Sequence, residues 1–439
     1  MRVIFALFMA IFAFGAELKI ATFNVENLFD GKNDGTEYRD FVIGKSNWNN
    51  SKYLQKLTLV SSYIRDMNAD IVALQEIENE RVLKEIAKKS GYDFSYFTKS
   101  KTSPFGVGII SKNRALSSSK ITVANVKTRD ILRVDFKFKG VKFSLFNVHF
   151  PAAKNPKWQR IAALNTLERA VKNSPNSYNI ILGDFNMDYK RDNFMLHSVQ
   201  IGTNLWSKKA QISSSHRSGR TIDHIFLSKN FFKEGELCYK EFSLKRYLPD
   251  RYFEAKKPIS DHYGLFFIIT TKDKFTKVEE KSIEELYQKP SLKTPFLLKN
   301  VAVVFADRDG YALFDGKRGI YLFDRQKRRL KVGDILDLEV GDIDYFMGNL
   351  EIKEYKISQK SRANIDKFLL KPSQLKEAKV GDVISGLEGE FKKGYLYTNY
   401  GKLRVYNKIA KLKDGYYKFN SLYINEYKGE LQGIVGANF

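Results

Sequence analysis

The chain has 439 residues, 43% hydrophobic and 28% charged, a globular balance with room for two or three domains. Lys and Arg total 74 against 50 Asp and Glu, a formal charge of +24 that points to a polyanionic partner such as nucleic acid, an acidic membrane surface or phosphorylated substrates, unless it serves solubility alone. Cys238 is the single cysteine, which excludes an internal disulfide.

Met1 to Ala16 has the form of an export signal, with Arg2 as a short positive start and Val3 to Phe14 continuously apolar. Small residues at Ala13 and Gly15, or at Ala16, fit a cleavage site. The run is short for a bilayer span, and no other stretch is apolar for long enough to cross a membrane. Export makes the protein periplasmic or extracellular, with no transmembrane segment in the mature chain.

Leu18 to Asn24 reads as a strand ending on Asn24. Trp48 to Asp66 reads as an amphipathic helix, with Leu54, Leu57, Val60, Ile64 and Met67 at three- and four-residue steps. Asp70 to Leu74 is a second buried strand with Glu76 just past its end, and Phe105 to Ser111 is a third, rich in glycine. Asp130 to Phe138 and Val141 to Asn147 form a hairpin around Lys139-Gly140, and the second arm runs on to His149. A helix over Trp158 to Val171 leads to Y-N-I-I-L-G-D-F-N, where Gly183 closes an apolar run and Asp184 and Asn186 follow. In extended chain these two would share a face.

Thr221 to Leu227 places Asp223 inside an apolar strand, costly for a carboxylate unless it is paired. Asp261-His262 precedes a last strand, Phe266 to Ile269. His224 faces away from Asp223 and reads as structural, and His197 and His216 read as surface-loop residues. Each polar group alone fits an ordinary turn or cap. Together, Asn24, Glu76, His149, Asp184 with Asn186, Asp223 and Asp261-His262 sit at strand ends too consistently for core satisfaction.

These segments, F-N-V-E-N, A-L-Q-E, F-N-V-H-F, L-G-D-F-N, T-I-D-H-I-F-L-S and S-D-H-Y-G, resemble the endonuclease/exonuclease/phosphatase superfamily in that family's order, from Ile20 to Ile269. The resemblance implies an α/β (α+β) fold, a four-layered α/β/β/α sandwich, and Mg2+-dependent hydrolysis of phosphate esters, with Mn2+ or Ca2+ as alternative ions. It further implies Glu76 as principal metal ligand, with Asn24 and Asp261 contributing. Asp184 would orient or deprotonate water, and Asn186 would donate to the phosphate. His149 and His262 would contact the scissile phosphate, with Asp223 behind His262. Arg129 would bind phosphate, with Arg133 as the alternative. Pancreatic-type members pair the first histidine with a glutamate on the strand matching Pro104–Ile110, which carries no acid here, so His149 needs another partner.

Past Ile269 the texture changes. Residues 17–270 form the expected catalytic domain, 271–290 a linker, and 291–362 and 363–439 a β-rich region of one or two OB-like small barrels. K-V-G-D at Lys331 has an echo at Lys379. Tyr395, Tyr397, Tyr400, Tyr406, Tyr416 and Tyr417, interleaved with lysines, either stack nucleic-acid bases or pack on strands. The function expected is an exported, Mg2+-dependent nuclease acting on DNA, with RNA as a further candidate substrate, little sequence specificity and no evident obligate protein partner. The alternatives are a phospholipase C-type (sphingomyelinase-like) enzyme or inositol-phosphate phosphatase on the same scaffold, and a non-catalytic DNA-binding protein.

Overall fold

The computed structural model describes residues 15–101, 103–209, 211–253, 258–271, 278–288, 295–325 and 330–436. The apolar segment Val3–Phe14 lies outside them. The chain divides into two compact units, one of residues 1–208 and 212–275, the other of residues 209–211 and 276–439.

The first unit runs β1 (Glu17–Leu28), α1 (Asn50–Met67), β2 (Ile71–Ile77), α2 (Glu80–Ser90), β3 (Phe94–Thr98), β4 (Gly106–Ser111), β5 (Ser117–Ile121), β6 (Ile131–Phe138), β7 (Val141–His149), α3 (Lys157–Lys172), β8 (Tyr178–Asp184), α4 (Asn193–His197), β9 (Thr203–Asn204), β10 (Asp223–Leu227), β11 (Leu237–Tyr239), β12 (Lys245–Tyr247), α5 (Asp250–Phe253) and β13 (Gly264–Thr271). One sheet has the order β11-β13-β1-β2-β4-β3, with β12 also on β13, and the other runs β5-β6-β7-β8-β10-β9. Their inner faces meet in a core that includes Ile20, Ile109, Leu145, Ile180 and Ile225. Helices α1 and α2 cover the outer face of the first sheet, and α3 and α4 that of the second. This is the expected α/β/β/α sandwich.

Local chemistry sets the helix ends. Asn49 accepts the Lys52 amide to start α1, and Asn68 ends it in the left-handed region at φ 48. The buried stripe of α1 is Tyr53, Leu57, Val60, Ile64 and Met67. Leu54, counted in that stripe from its spacing, is 44% exposed, because Tyr53 takes the inward position and bonds Glu85 through its hydroxyl. Truncating the fully buried Leu57 to Ala would cost about 2–5 kcal/mol.

Gly183 lies inside β8 rather than ending it. Its φ is +134, and a Cβ there would stand 2.1 Å from the Val148 carbonyl oxygen of parallel neighbour β7. That close approach sets His149 beside Asp184 in register.

The second unit opens with α6 (Ile283–Gln288). This helix corrects the reading of 271–290 as linker, since Ile283 and Leu286 are buried in the first barrel's core. The first barrel is β14 (Phe296–Ala306), β15 (Gly310–Phe314), β16 (Gly319–Phe323), β17 (Asp334–Phe346) and β18 (Asn349–Arg362). The second is β19 (Val383–Lys392), β20 (Tyr395–Thr398), β21 (Gly401–Tyr406), β22 (Gly415–Tyr427) and β23 (Glu430–Val435). Each closes in the order first-second-third-fifth-fourth, with third and fifth strands parallel. That is the five-stranded topology of the expected OB-like barrels.

The two barrels share an apolar interface in which Phe305 and Tyr321 meet Tyr423. At one point only glycine fits: a Cβ on Gly319 would lie 1.8 Å from the Gly381 carbonyl oxygen, and Gly381 itself has φ +103. The two K-V-G-D segments precede the fourth strand of the first barrel and the first strand of the second. They repeat a turn, in which Asp334 and Asp382 accept the amides of Lys331 and Lys379, and not a structural repeat.

Candidate active site

Strands β1, β2, β7 and β8 end at one rim of the two sheets, and backbone irregularities there aim the side chains. Register slips occur between Asn24 and Leu28 and between Gln75 and Ile77. Glu26, Asn27, Glu76 and Asn186 have φ of 52, 53, 63 and 51, strained for residues with a side chain. Asn186 therefore reaches Asp184 through a turn rather than by the expected strand alternation. Its amide N–H donates to Asp184 Oδ1 at 2.8 Å, and its side-chain nitrogen to Asp184 Oδ2 at 3.2 Å and the Phe150 carbonyl at 3.1 Å.

Asp184 is the centre. Asn24 Nδ2 donates to both Asp184 Oδ2 and Glu76 Oε1 at 3.1 Å. His149 Nε2 lies 3.5 Å from Asp184 Oδ2 and 3.7 Å from Glu76 Oε1, and His262 Nε2 lies 3.8 Å from Asp184 Oδ2. Burial raises the Asp184 pKa, and the carboxylates of Asp223 and Glu76 raise it further against the His262 charge.

His262 is oriented from behind. Its Nδ1–H donates to Asp223 Oδ2 at 2.9 Å, and Ser215 Oγ donates to the same oxygen at 2.7 Å. Burial alone would lower the His262 pKa, but Asp223 and Asp184 override it and push the ring up to about 10. His149 is the opposite case. Burial, then the charges of Arg129 and His262, hold it well below its ordinary value, and its buried Nδ1 has no hydrogen-bond partner among the described residues. The missing partner expected from the sequence is thus an orphaned nitrogen. The surroundings thus favour the charged form of one histidine and the neutral form of the other, the two rings lying 3.8 and 3.5 Å from one carboxylate oxygen.

The remaining predicted residues distribute as follows. Asp261 does not join the Glu76 cluster; its Oδ2 meets His216 Nε2 at 3.1 Å and its Oδ1 lies 3.8 Å from His262 Nε2. Asn24 presents its nitrogen to the carboxylates while its oxygen accepts the Glu26 amide at 3.0 Å. Arg129 lies near Tyr38 and His149, close enough to shift both groups, whereas Arg133 pairs with Asp135 at 3.4 Å. His224 is structural: Nε2–H donates to the Met187 carbonyl, Nδ1 accepts from Asn204, and burial lowers its pKa to about 4.

His216 corrects the surface-loop reading. Its segment bridges to His262, and the two rings meet edge to face at 4.7 Å. Sequence reading also passed over Glu26 and Lys56. Burial and then Asp261 raise the Glu26 pKa, while burial lowers that of Lys56 against the pull of Glu26, Glu76 and Asp261. The one sequence signal for these was F-N-V-E-N itself, where Glu26 stands two residues past Asn24.

The profile of the Endonuclease/Exonuclease/phosphatase family matches residues 21–262, more than half of the chain. The chain belongs to this family. It is a hydrolase of phosphate esters, and enzymes of the family depend on a divalent metal. Solved structures with a similar fold include a humanized D. rerio TDP2 (19% identity, 58% of this chain and 99% of that one, TM-score 0.44) and a mannosyl-6-phosphatase from Bacteroides thetaiotaomicron (17%, 57% and 99%, TM-score 0.43). Another is a family protein from Leptotrichia buccalis (16%, 57% and 98%, TM-score 0.41). A comparison with curated protein sequences gives no significant match.

The residues present fit a divalent ion. Glu76, His149 and Asp184 each place a ligand atom within 4.8 Å of the others, and two carboxylates there face an amide nitrogen where a cation would compensate them better. When bound, such an ion neutralises phosphate charge and polarises the ester.

Proposed function

We propose that the protein is an exported, Mg2+-dependent nuclease that hydrolyses DNA phosphodiesters with little sequence specificity. The observation that carries the nucleic-acid reading is charge. Residues 1–270 hold 42 basic and 26 acidic side chains, an excess of +16, and residues 271–439 hold 32 and 24, an excess of +8. A polyanion gains from both, and affinity for it would fall steeply with salt.

In this reading Glu76 would hold the ion beside Asp184, while Asp261 faces His216 and His262 instead. Asp184, whose raised pKa suits a proton acceptor near neutrality, orients and deprotonates the attacking water. Neutral His149 and Asn186 donate to phosphate oxygens, and protonated His262 stabilises the developing charge or delivers a proton to the leaving group. Arg129 binds a phosphate oxygen. Asp223 keeps the His262 tautomer fixed.

The second barrel supports the polymer reading. Tyr397, Tyr406 and Tyr416 are 50%, 52% and 70% exposed, and Lys402 lies over the Tyr395 ring at 4.8 Å. Tyr417 is a packing residue, stacked on Phe419 at 5.7 Å. The lipid alternative looked to Phe29, Phe41 and Trp48 for an interfacial loop. Phe29 is fully buried, and it packs on Phe41 and Phe105 at 4.6 Å while Phe41 packs on Trp48 at 4.9 Å.

The test compares supercoiled DNA, RNA, sphingomyelin vesicles and inositol phosphates as substrates, with Mg2+ and with chelator. Chelator-sensitive cleavage of nucleic acid is expected. Phosphocholine or phosphate release without nucleic-acid cleavage would assign the lipid or inositol alternative.

A further inference from the structure

Beside the catalytic rim, a second group of carboxylates has no part in the chemistry above. The loop after β1 carries Asp30, Asp34 and Glu37, and Glu78 follows the end of β2. Glu78 is fully buried. Its Oε2 accepts the Asp30 amide at 2.6 Å and the Asn79 side chain at 3.4 Å, but its buried Oε1 has no hydrogen-bond partner among the described residues. A buried carboxylate oxygen without a partner is costly unless a cation or water completes it.

Asp34, Glu37 and Glu78 each offer a ligand atom, all within 4.8 Å of one another. With Asp30 the group has four carboxylates. Two cations answer them: Arg81 pairs with Asp30, and Lys99 Nζ lies 3.1 Å from Asp34 Oδ2. The carboxylates thus outnumber the cations that face them.

We propose that this loop is a Ca2+ site, in which Glu78, Asp34 and Glu37 hold a hard divalent cation that clamps the ends of β1 and β2. The ligands are all oxygen, the donor type that a hard cation prefers. Carboxylates from a loop and from a strand end can adjust their number and spacing, which suits the variable shell of Ca2+ better than a strict octahedron. The clamp sits where the Glu78 amide donates to the Leu28 carbonyl at 3.3 Å, two residues beyond Glu76. The site stands whatever the substrate of the enzyme is.

Trp48 gives a direct probe, since its Nε1–H donates to the Asp30 carbonyl at 3.0 Å. Tb3+, a luminescent ion of Ca2+-like size, is titrated into the full-length protein with tryptophan excitation. Sensitised emission, displaced by Ca2+ at lower concentration than by Mg2+, is expected from the wild type. It should persist in Glu76→Gln, which disables the catalytic ion, and weaken at least about tenfold in affinity in the double variant Asp34→Asn, Glu37→Gln. Asp34 is exposed and Glu37 half-buried, so that variant keeps the core, which its melting curve verifies. No emission from the wild type, loss of emission with Glu76→Gln, or undiminished affinity in the double variant would overturn the proposal.

Discussion

The catalytic sandwich and the tandem barrels both bury acids, but they treat them differently. In the barrels Asp334, Asp324 and Asp307 have partners at hand. Asp334 meets Lys360 at 2.9 Å and the Lys331 amide at 2.7 Å, Asp324 accepts the Tyr355 hydroxyl at 2.8 Å, and Asp307 meets Lys408 at 2.7 Å. In the sandwich, Glu76, Asp184 and Asp223 gather around two histidines, with one imidazole nitrogen orphaned and strained backbone at Glu76 and Asn186. Paired acids hold a fold together, whereas crowded ones are retained against stability and mark chemistry.

The largest effect expected from breaking the comparison is at His262. His262→Ala should lower hydrolysis by about 10²–10⁴, and it should also lower the melting temperature at neutral pH, because Asp223 is left buried without its charged partner. The pH response follows from its pairing. A histidine held near 10 against an ordinary 6.5 stabilises the fold in full below pH 6.5, and that contribution fades as pH rises through about 10. Melting curves from pH 6 to 11 should show this alkaline loss in the wild type and a much smaller one in Asp223→Asn.

In the barrels the order reverses. Asp334→Ala strands the Lys331 amide and frees Lys360, costing about 2–3 kcal/mol in denaturant unfolding, with turnover of a small phosphodiester unchanged. Smaller again is Gly381→Ala, which adds a methyl against Gly319 at an unfavourable φ. It should cost about 1–3 kcal/mol and loosen the barrel pair, seen as faster amide exchange at Phe305 and Tyr423.

Much of the first unit was legible in the sequence because each motif strand is an apolar run closed by a polar group, a pattern that fixes both element and direction. The mechanics at the strand ends were not. Alternation placed Asn186 beside Asp184 in extended chain, but a left-handed turn does so instead, and Gly183 belongs to the strand because Val148 crowds it. His216 was invisible as a site residue, since only the return of a distant loop brings it to His262. In the tail, K-V-G-D repeated a local turn without repeating topology. Helix α6 escaped notice because six residues are too few to show a period.

Asp184→Asn is the most direct test of the claim that crowded acids mark the catalytic centre. Phosphodiester hydrolysis with Mg2+ and the melting temperature are measured on the same preparation. The account predicts at least about a 10³-fold loss of activity with a melting temperature equal to or above that of the wild type, because one buried charge among like charges is gone. Retained activity, or a variant that is inactive only because it has unfolded, would contradict it.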